Sequence, residues 1–225
     1  MAEERVELVR GRHVLLRLTE DGDAQKIVEW RNRPETARWL NQSKPLTVEN
    51  HLRWYREARL RGDLLLVFET LDREPIGCTS IFDFDHLGTS AEWGRLVSAH
   101  VGGGSVRMLE ACYLLHRLCF DGLGFFRLHG RVWADNERAW RIYQFLGWVQ
   151  EGRRRKHALS QDGYHDVFVI SAFAEEFQAA RKVVEAKIYG SETPPEIPEA
   201  EARRLRKIVG AVIHRPLDAP LSRPG

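Results

Sequence analysis

Residues Arg127 to Trp148 read RLHGRVWADNERAWRIYQFLGW. The apolar run from Arg127 to Trp133 predicts a strand. Ala134-Asp135-Asn136 breaks it, and a helix follows that stops at Gly147. Asn136 suits the N-cap, because its side chain accepts from free N–H groups of the first turn. Ala139 and Tyr143 are four apart and so share one helical face. Gly147 supplies the left-handed residue at which a helix can end.

Outward from this stretch, the chain alternates short strands and amphipathic helices. His13 to Leu18 is a strand. Thr19 to Asp23 carries helix-start residues for a helix over Ala24 to Asn32, which Pro34 interrupts. Thr47 to Asn50 opens a helix to about Arg61, with Leu52, Tyr55 and Leu60 as its inward positions. Leu64 to Thr70 and Ile76 to Phe84 pair across the turn Asp72 to Pro75. Thr89 to Val97 is the next strand. After Gly102-Gly103-Gly104-Ser105, a helix runs from Val106 to about Phe120, with Met108, Ala111, Cys112, Leu115, Leu118 and Cys119 as its apolar stripe. Val149 to Leu159 and Tyr164 to Phe173 form a last hairpin around Ser160 to Gly163. The order β-α-α-β-β-β-α-β-α-β-β joins an antiparallel meander to one β-α-β crossover, so the class is α+β. Beyond it, Ala174 to Tyr189 reads as a helix and Ser191 to Pro198 as a proline-rich linker. Glu199 to Val212 reads as an amphipathic helix with Leu205, Ile208, Val209 and Val212 on one face. Such a face is expected to dock, on its own domain or on a second copy across a homodimer.

Composition excludes several classes. The net charge of +2 gives no general case for nucleic acid or membrane binding. Cys78, Cys112 and Cys119 form no C-x-x-C pair, so no metal is expected and buried thiols are the default. The start MAEERVELVR lacks an apolar run, and no stretch approaches a transmembrane length. These features lead to the expectation of a reducing cytoplasm.

One turn stands out for chemistry. VSAHVGGGSV, Val97 to Val106, is a strand end, a glycine triplet and a helix start. Backbone N–H groups there can approach an anion such as a pyrophosphate; the alternative is a flexible glycine loop. A dinucleotide site of the doubly wound kind is disfavoured, since the preceding strand belongs to a hairpin series.

The spacing Asn136-x-x-Ala139-x-x-x-Tyr143-x-x-x-Gly147-Trp148, together with the element order, resembles the GNAT superfamily of acetyl-CoA-dependent N-acyltransferases over roughly residues 10 to 175. The resemblance implies a mostly antiparallel seven-stranded sheet flanked by helices, and with it a GNAT domain over 1–175. It says nothing of the C-terminal extension over 176–225, which reads as helical and proline-rich from its own residues. It also implies that Gly102, Gly103, Gly104 and Ser105 hold the coenzyme A pyrophosphate. The chain departs from the usual R/Q-x-x-G-x-G/A pattern, having only His100 as a nearby polar residue. Leu96 and Val97 then flank the pantetheine arm, with Asn136 and Ala139 also on the cofactor side. Tyr143 is implied as general acid toward the departing thiolate, against a plain packing role. Glu92 is a base candidate acting through water, against a role as a surface carboxylate. His100 and Asp83 are weaker candidates, and a water chain without any single base is a further alternative.

The segment EWRNRPETARWL, Glu29 to Leu40, resembles one branch of that superfamily. The branch includes ribosomal-protein N-terminal acetyltransferases and the N-acetyltransferases of nucleotide-linked amino sugars in pseudaminic acid biosynthesis. It implies acceptor contacts from Arg31, Asn32 and Trp39. Arg153 to Lys156 cannot form one cluster on a strand, where alternate residues face opposite ways, and reads as a solvated edge. The expected activity is acetyl transfer to the primary amine of a nucleotide-linked amino sugar, by direct attack in a ternary complex. The alternatives are a protein N-terminus or antibiotic amine as acceptor, and a non-catalytic acyl-CoA-binding protein.

Overall fold

The computed structural model describes residues 5–40, 42, 44–100, 105–160 and 162–213. In chain order the elements are β1 (Glu7–Arg10), β2 (Val14–Leu18), α1 (Ala24–Asn32), α2 (Pro34–Ala37), α3 (Val48–Leu60), β3 (Leu64–Thr70), β4 (Pro75–Phe82) and β5 (Ser90–Ser98). There follow α4 (Val106–Arg117), β6 (Arg127–Trp133), α5 (Glu137–Phe145), β7 (Val149–Ser160), β8 (Gly163–Phe173), α6 (Ala174–Tyr189) and α7 (Glu199–Ile213). The described residues form one eight-stranded sheet in the order β1-β2-β3-β4-β5-β6-β8-β7. The α+β class holds. The expected count of seven strands misses β1, whose four residues follow a polar start with no turn signal before them.

β3 shows why the sheet needs helices on both faces. All seven of its residues are buried, the mark of a strand covered on two sides. Leu64, Leu66 and Phe68 join the main core with α4, whereas Val67 packs with Ile27 and Trp30 of α1, and Leu65 with Tyr55 and Ala58 of α3. Leu60, expected inward, is 86% exposed. It lies on the face of α3 opposite the buried positions His51, Tyr55 and Ala58. Arg17, only 2% exposed, is compensated twice, by Asp23 at 2.6 Å and by Glu69 at 2.7 Å. Such compensation is what a buried guanidinium ordinarily requires.

The C-terminal helices dock on their own domain. Phe177 and Val184 of α6 are fully buried in the main core, so α6 is structurally part of it. On α7, Ala202, Leu205 and Val209 lie at helical spacing and are buried. They face the π-helical turn Leu118–Gly122, where Arg206 donates to the Gly122 carbonyl at 2.7 Å. A Cβ at Gly122 would stand 3.0 Å from Ile197 Cγ2 and 3.4 Å from the Ala202 Cβ. Arg117 donates to the Pro195 carbonyl, which fastens the linker as well. The side chain of Val212 lies outside the described residues.

Two outcomes follow. Leu205→Ala should lower unfolding free energy by about 2–4 kcal/mol; an unchanged urea midpoint would show that α7 does not dock in solution. His116 concerns pH. It is fully buried, accepts from the Trp148 indole N–H at 2.7 Å, and pairs through Nδ1 with the Cys112 carbonyl at 2.6 Å. Burial pushes its pKa down from 6.5 to about 4. The unfolded chain therefore gains a proton below pH 6.5 that the folded chain refuses until about 4. Stability is complete above that window and falls through it as pH drops, by on the order of 3 kcal/mol. Urea midpoints from pH 7 to 4 should fall less steeply in His116→Gln than in wild type. Parallel curves would contradict this.

Candidate active site

The centre of the sheet is a fork. β5 and β6 pair in parallel at only three positions, Ser90–Arg127, Ala91–Leu128 and Glu92–His129. Beyond these, β5 stays with β4 and β6 stays with β8. Gly130 stands at the split. A Cβ there would come within 2.9 Å of the Trp93 carbonyl and 3.6 Å of the Trp148 ring, so only glycine lets β6 pass so close. On β5 the split coincides with a bulge. Cys78 pairs with Val97 but Ser80 pairs with Gly94, which places one extra residue on β5. Arg95 takes up the excess at φ +57°. Its guanidinium lies 3.7 Å from the Phe82 ring centroid and 2.8 Å from Asp63. Thr79 accepts from the Trp93 indole at 2.7 Å and donates to the Gly94 carbonyl at 2.9 Å, tying the bulge to β4.

The fork opens a cavity of about 450 Å³. Gly94 to Ser98 form one wall; Arg131 to Trp133 and α5 form the other. Among the described residues, the β5 edge beyond Glu92 has no strand beside it. It is therefore a free row of backbone groups, able to bond an extended ligand as a strand would. α5 reaches the cavity as its sequence requires. The Asn136 side chain accepts from Ala139 N at 3.2 Å. The helix ends in paired bonds, Trp148 N to the Tyr143 carbonyl and Gly147 N to the Gln144 carbonyl, both 3.0 Å, with Gly147 at φ +88°.

Of the sequence-derived candidates, Leu96, Val97, Asn136, Ala139, Tyr143, Trp39 and His100 meet on the cavity wall. Tyr143 is 5% exposed and packs at 4.8 Å from Trp93 and 5.1 Å from Trp148, ring centroid to centroid. Burial raises its phenol well above the ordinary range, helped by Cys112 and Glu92, so it is a neutral O–H donor at physiological pH. No described residue bonds its hydroxyl.

Other candidates are placed elsewhere. Glu92 is off the wall and holds Arg131 at 3.3 Å with both carboxylate oxygens. Asp83 is off it too. Asn32 spends its side-chain amide on the loop before α3, donating to the Leu46 carbonyl at 2.9 Å and accepting from Leu46 N at 2.8 Å and Gln42 at 3.0 Å. It shapes that loop and does not line the cavity. Arg31 is also off the wall, near Arg95 and Cys78. Ser105 caps α4, accepting from Met108 N at 3.3 Å, while Gly102, Gly103 and Gly104 lie outside the described residues. Sequence reasoning missed Arg131, Trp133, His157 and Met108 on the wall. Trp133 was legible as the last residue of its strand. A bulge at Arg95, carried by a non-glycine residue, leaves no signal.

The residues present suit acetyl-CoA: an unpaired strand edge for the pantetheine amides, a helix start beside it, and a neutral buried phenol. Among the described residues, no group of His, Cys, Asp and Glu is arranged to hold a metal, and no helix is long and apolar enough to cross a membrane.

Known proteins agree with this geometry. The family model described as an acetyltransferase (GNAT) domain matches residues 12–149. An uncharacterized N-acetyltransferase of SPbeta prophage origin in Bacillus subtilis is 23% identical over 135 residues, covering 60% of this chain and 75% of that protein. A B. subtilis protein provisionally named a ribosomal N-acetyltransferase is 24% identical, covering 75% and 96%. Among solved structures, the spermidine N-acetyltransferase of Vibrio cholerae, in complex with CoA and spermine, superposes with a TM-score of 0.66 at 18% identity, covering 73% of this chain and 98% of that one. A T. thermophilus protein provisionally named an acetyltransferase does so at 0.66 and 29% identity, covering 84% and 99%. The chain belongs to the GNAT acetyltransferase family and is an acetyl-CoA-dependent N-acetyltransferase.

Proposed function

We propose that the acceptor is a primary amine on a molecule that also carries an anionic group and a flat ring, of which a nucleotide-linked amino sugar is the best fit. The observation that carries this reading is the charge around Arg31. Unlike Arg17, this partly buried guanidinium has no carboxylate partner among the described residues. Burial lowers its pKa from the ordinary value, and neighbouring Arg95 adds to the effect. Beside it His51, 6% exposed, is pushed down to about 4 by burial and by Arg31, and so is neutral. A desolvated cation costs free energy unless an anion meets it, and a substrate phosphate or carboxylate supplies one. Arg95, Arg131, His100 and His157 line the cavity nearby, with Glu35 as the one carboxylate among the described residues of its wall. Trp39 and Trp133 meet there edge to face at 6.1 Å, which offers aromatic surface to a ring.

The spermine bound by the Vibrio cholerae protein is a polycation. The uncompensated charge of Arg31, next to Arg95 of the wall, repels such a substrate and so argues for a different acceptor class. The amine attacks the thioester directly, and Tyr143 protonates the leaving thiolate. Cys78, Cys112 and Cys119 are buried, with thiols pushed up by burial. None of them is a thiolate suited to carrying the acetyl group.

Three measurements test the reading. Release of free coenzyme A should be faster with a UDP-linked amino sugar bearing a free amine than with spermidine or an N-terminal peptide. Arg31→Gln should raise the acceptor KM about 10- to 100-fold, with the acetyl-CoA KM unchanged. Equal or faster turnover of spermidine would overturn the anionic-acceptor assignment. Tyr143→Phe should lower kcat on the order of 10²-fold at constant acetyl-CoA KM; an unaltered kcat would leave Tyr143 a packing residue.

A further inference from the structure

A second constellation lies beyond the acceptor end of the cavity. His165 Nδ1 is 2.6 Å from Asp135 Oδ2, and its Nε2 is 2.8 Å from Ser160 Oγ. The imidazole also stacks on Trp133, with centroids 4.7 Å apart and planes at 29°. Strand register explains the meeting. Ala158 pairs with His165, and Val167 pairs with Trp133. Alternate residues share a face, so Trp133, Val167, His165, Ala158 and Ser160 all project from the same side of the sheet. Trp133, Val167 and Ala158 are cavity wall. His165 and Ser160 are the next step toward the hairpin tip.

The connectivity Asp–His–Ser is that of a nucleophilic triad, but its surroundings argue for a different role. Ser160 Oγ already accepts from Asp162 N at 3.1 Å, within the β7–β8 turn. With the Nδ1–H tautomer the whole chain of bonds is satisfied. Asp162 N–H donates to Ser160, Ser160 O–H donates to Nε2, and Nδ1–H donates to Asp135. Both ring nitrogens are thus occupied, and the ring plane is fixed against the Trp133 indole. Across the cavity, the α2 segment meets the same hairpin. Trp39 touches Trp133 edge-on, and Arg38 stands 3.7 Å from Asp162.

We infer that His165 is a positioning residue for acceptor selectivity: held by Asp135 and Ser160, it fixes the Trp133 indole as the wall against which the acceptor is placed. This goes beyond the acceptor class proposed above, because it concerns which surface selects the amine. It rests on that reading only in placing the acceptor at this end of the cavity.

The test has an arm without substrate and an arm with it. The full chain is labelled with 5-fluorotryptophan, and the Trp133 fluorine resonance is identified by its absence in Trp133→Phe. His165→Ala and Asp135→Asn should both shift or broaden that resonance and leave the Trp148 resonance in place. A Trp133 signal unmoved by either variant overturns the inference, whatever the acceptor is. In kinetics, KM is measured for a UDP-linked amino sugar and, separately, for tyramine as a plain aromatic amine. His165→Ala should raise the acceptor KM about tenfold with the acetyl-CoA KM unchanged, as expected when a wall that orients a reactant loosens. His165→Asn, which keeps a donor toward Asp135 but loses the stack, should not restore it. In a Trp133→Ala background, His165→Ala should have no further effect, since it acts through Trp133. An equal loss in both backgrounds, or a loss shared by the acetyl-CoA KM, would mean that His165 merely supports the fold. Failure with the sugar nucleotide but a KM rise with tyramine would count against the anionic acceptor and for the wall.

Discussion

The short parallel pairing of β5 with β6 is the constraint on which the rest depends. Three residue pairs hold the two halves of the sheet together, and then the strands must part. Two residues shape the fork. Gly130 allows the closest approach at its base, and the Arg95 bulge turns β5 away beyond it. Among the described residues, the gap leaves the backbone groups on the β5 edge facing β6 without a strand partner beyond Glu92. A protein does not ordinarily leave such groups inside a fold, so the gap itself calls for a ligand with an extended, amide-bearing arm. The acyl donor of this family meets that requirement.

The polar groups around the fork divide into compensated and uncompensated sets. Arg5, Arg17, Asp23 and Glu69 neutralise one another, and Arg17 holds β2, β3 and the start of α1 together. Glu92 and Arg131 neutralise each other beside the fork. Arg95 is shared between Asp63 and two aromatic rings. Arg31 has no carboxylate partner among the described residues and lies next to a histidine that burial keeps neutral. Arg17 thus carries charge that supports the fold, and Arg31 is not compensated in that way. Tyr143 is a desolvated phenol whose hydroxyl bonds no described residue.

Much of this was legible in the sequence where local chemistry governs. The Asn136 cap, the Gly147 stop, the helix over Glu137 to Phe145 and the hairpin from Val149 to Phe173 depend on contacts within a few residues. So does the amphipathic face of α7, although nothing local said that the face would settle on Gly122 and Leu118 of its own domain. Strand β1 was not legible, because four residues carry too little periodicity. The bulge at Arg95 was not legible either. Its positive φ is imposed by Phe82, Asp63 and Thr79, all of them remote in the chain. Asn32 looked like an acceptor contact because its type and place fit. Only the fold shows that Leu46 and Gln42 hold its amide in the loop before α3. The Asp135–His165–Ser160 chain likewise spans two turns that no spacing rule connects.

The account's central claim is that the free β5 edge at the fork receives the acetyl-CoA arm. Amide hydrogen exchange of the full chain, with and without saturating acetyl-CoA, measures it directly. Protection gained on Gly94 to Ser98 and on the first turn of α4, with β1 to β3 unaffected, is the predicted result. Binding of acetyl-CoA without any added protection along Gly94 to Ser98 would contradict it.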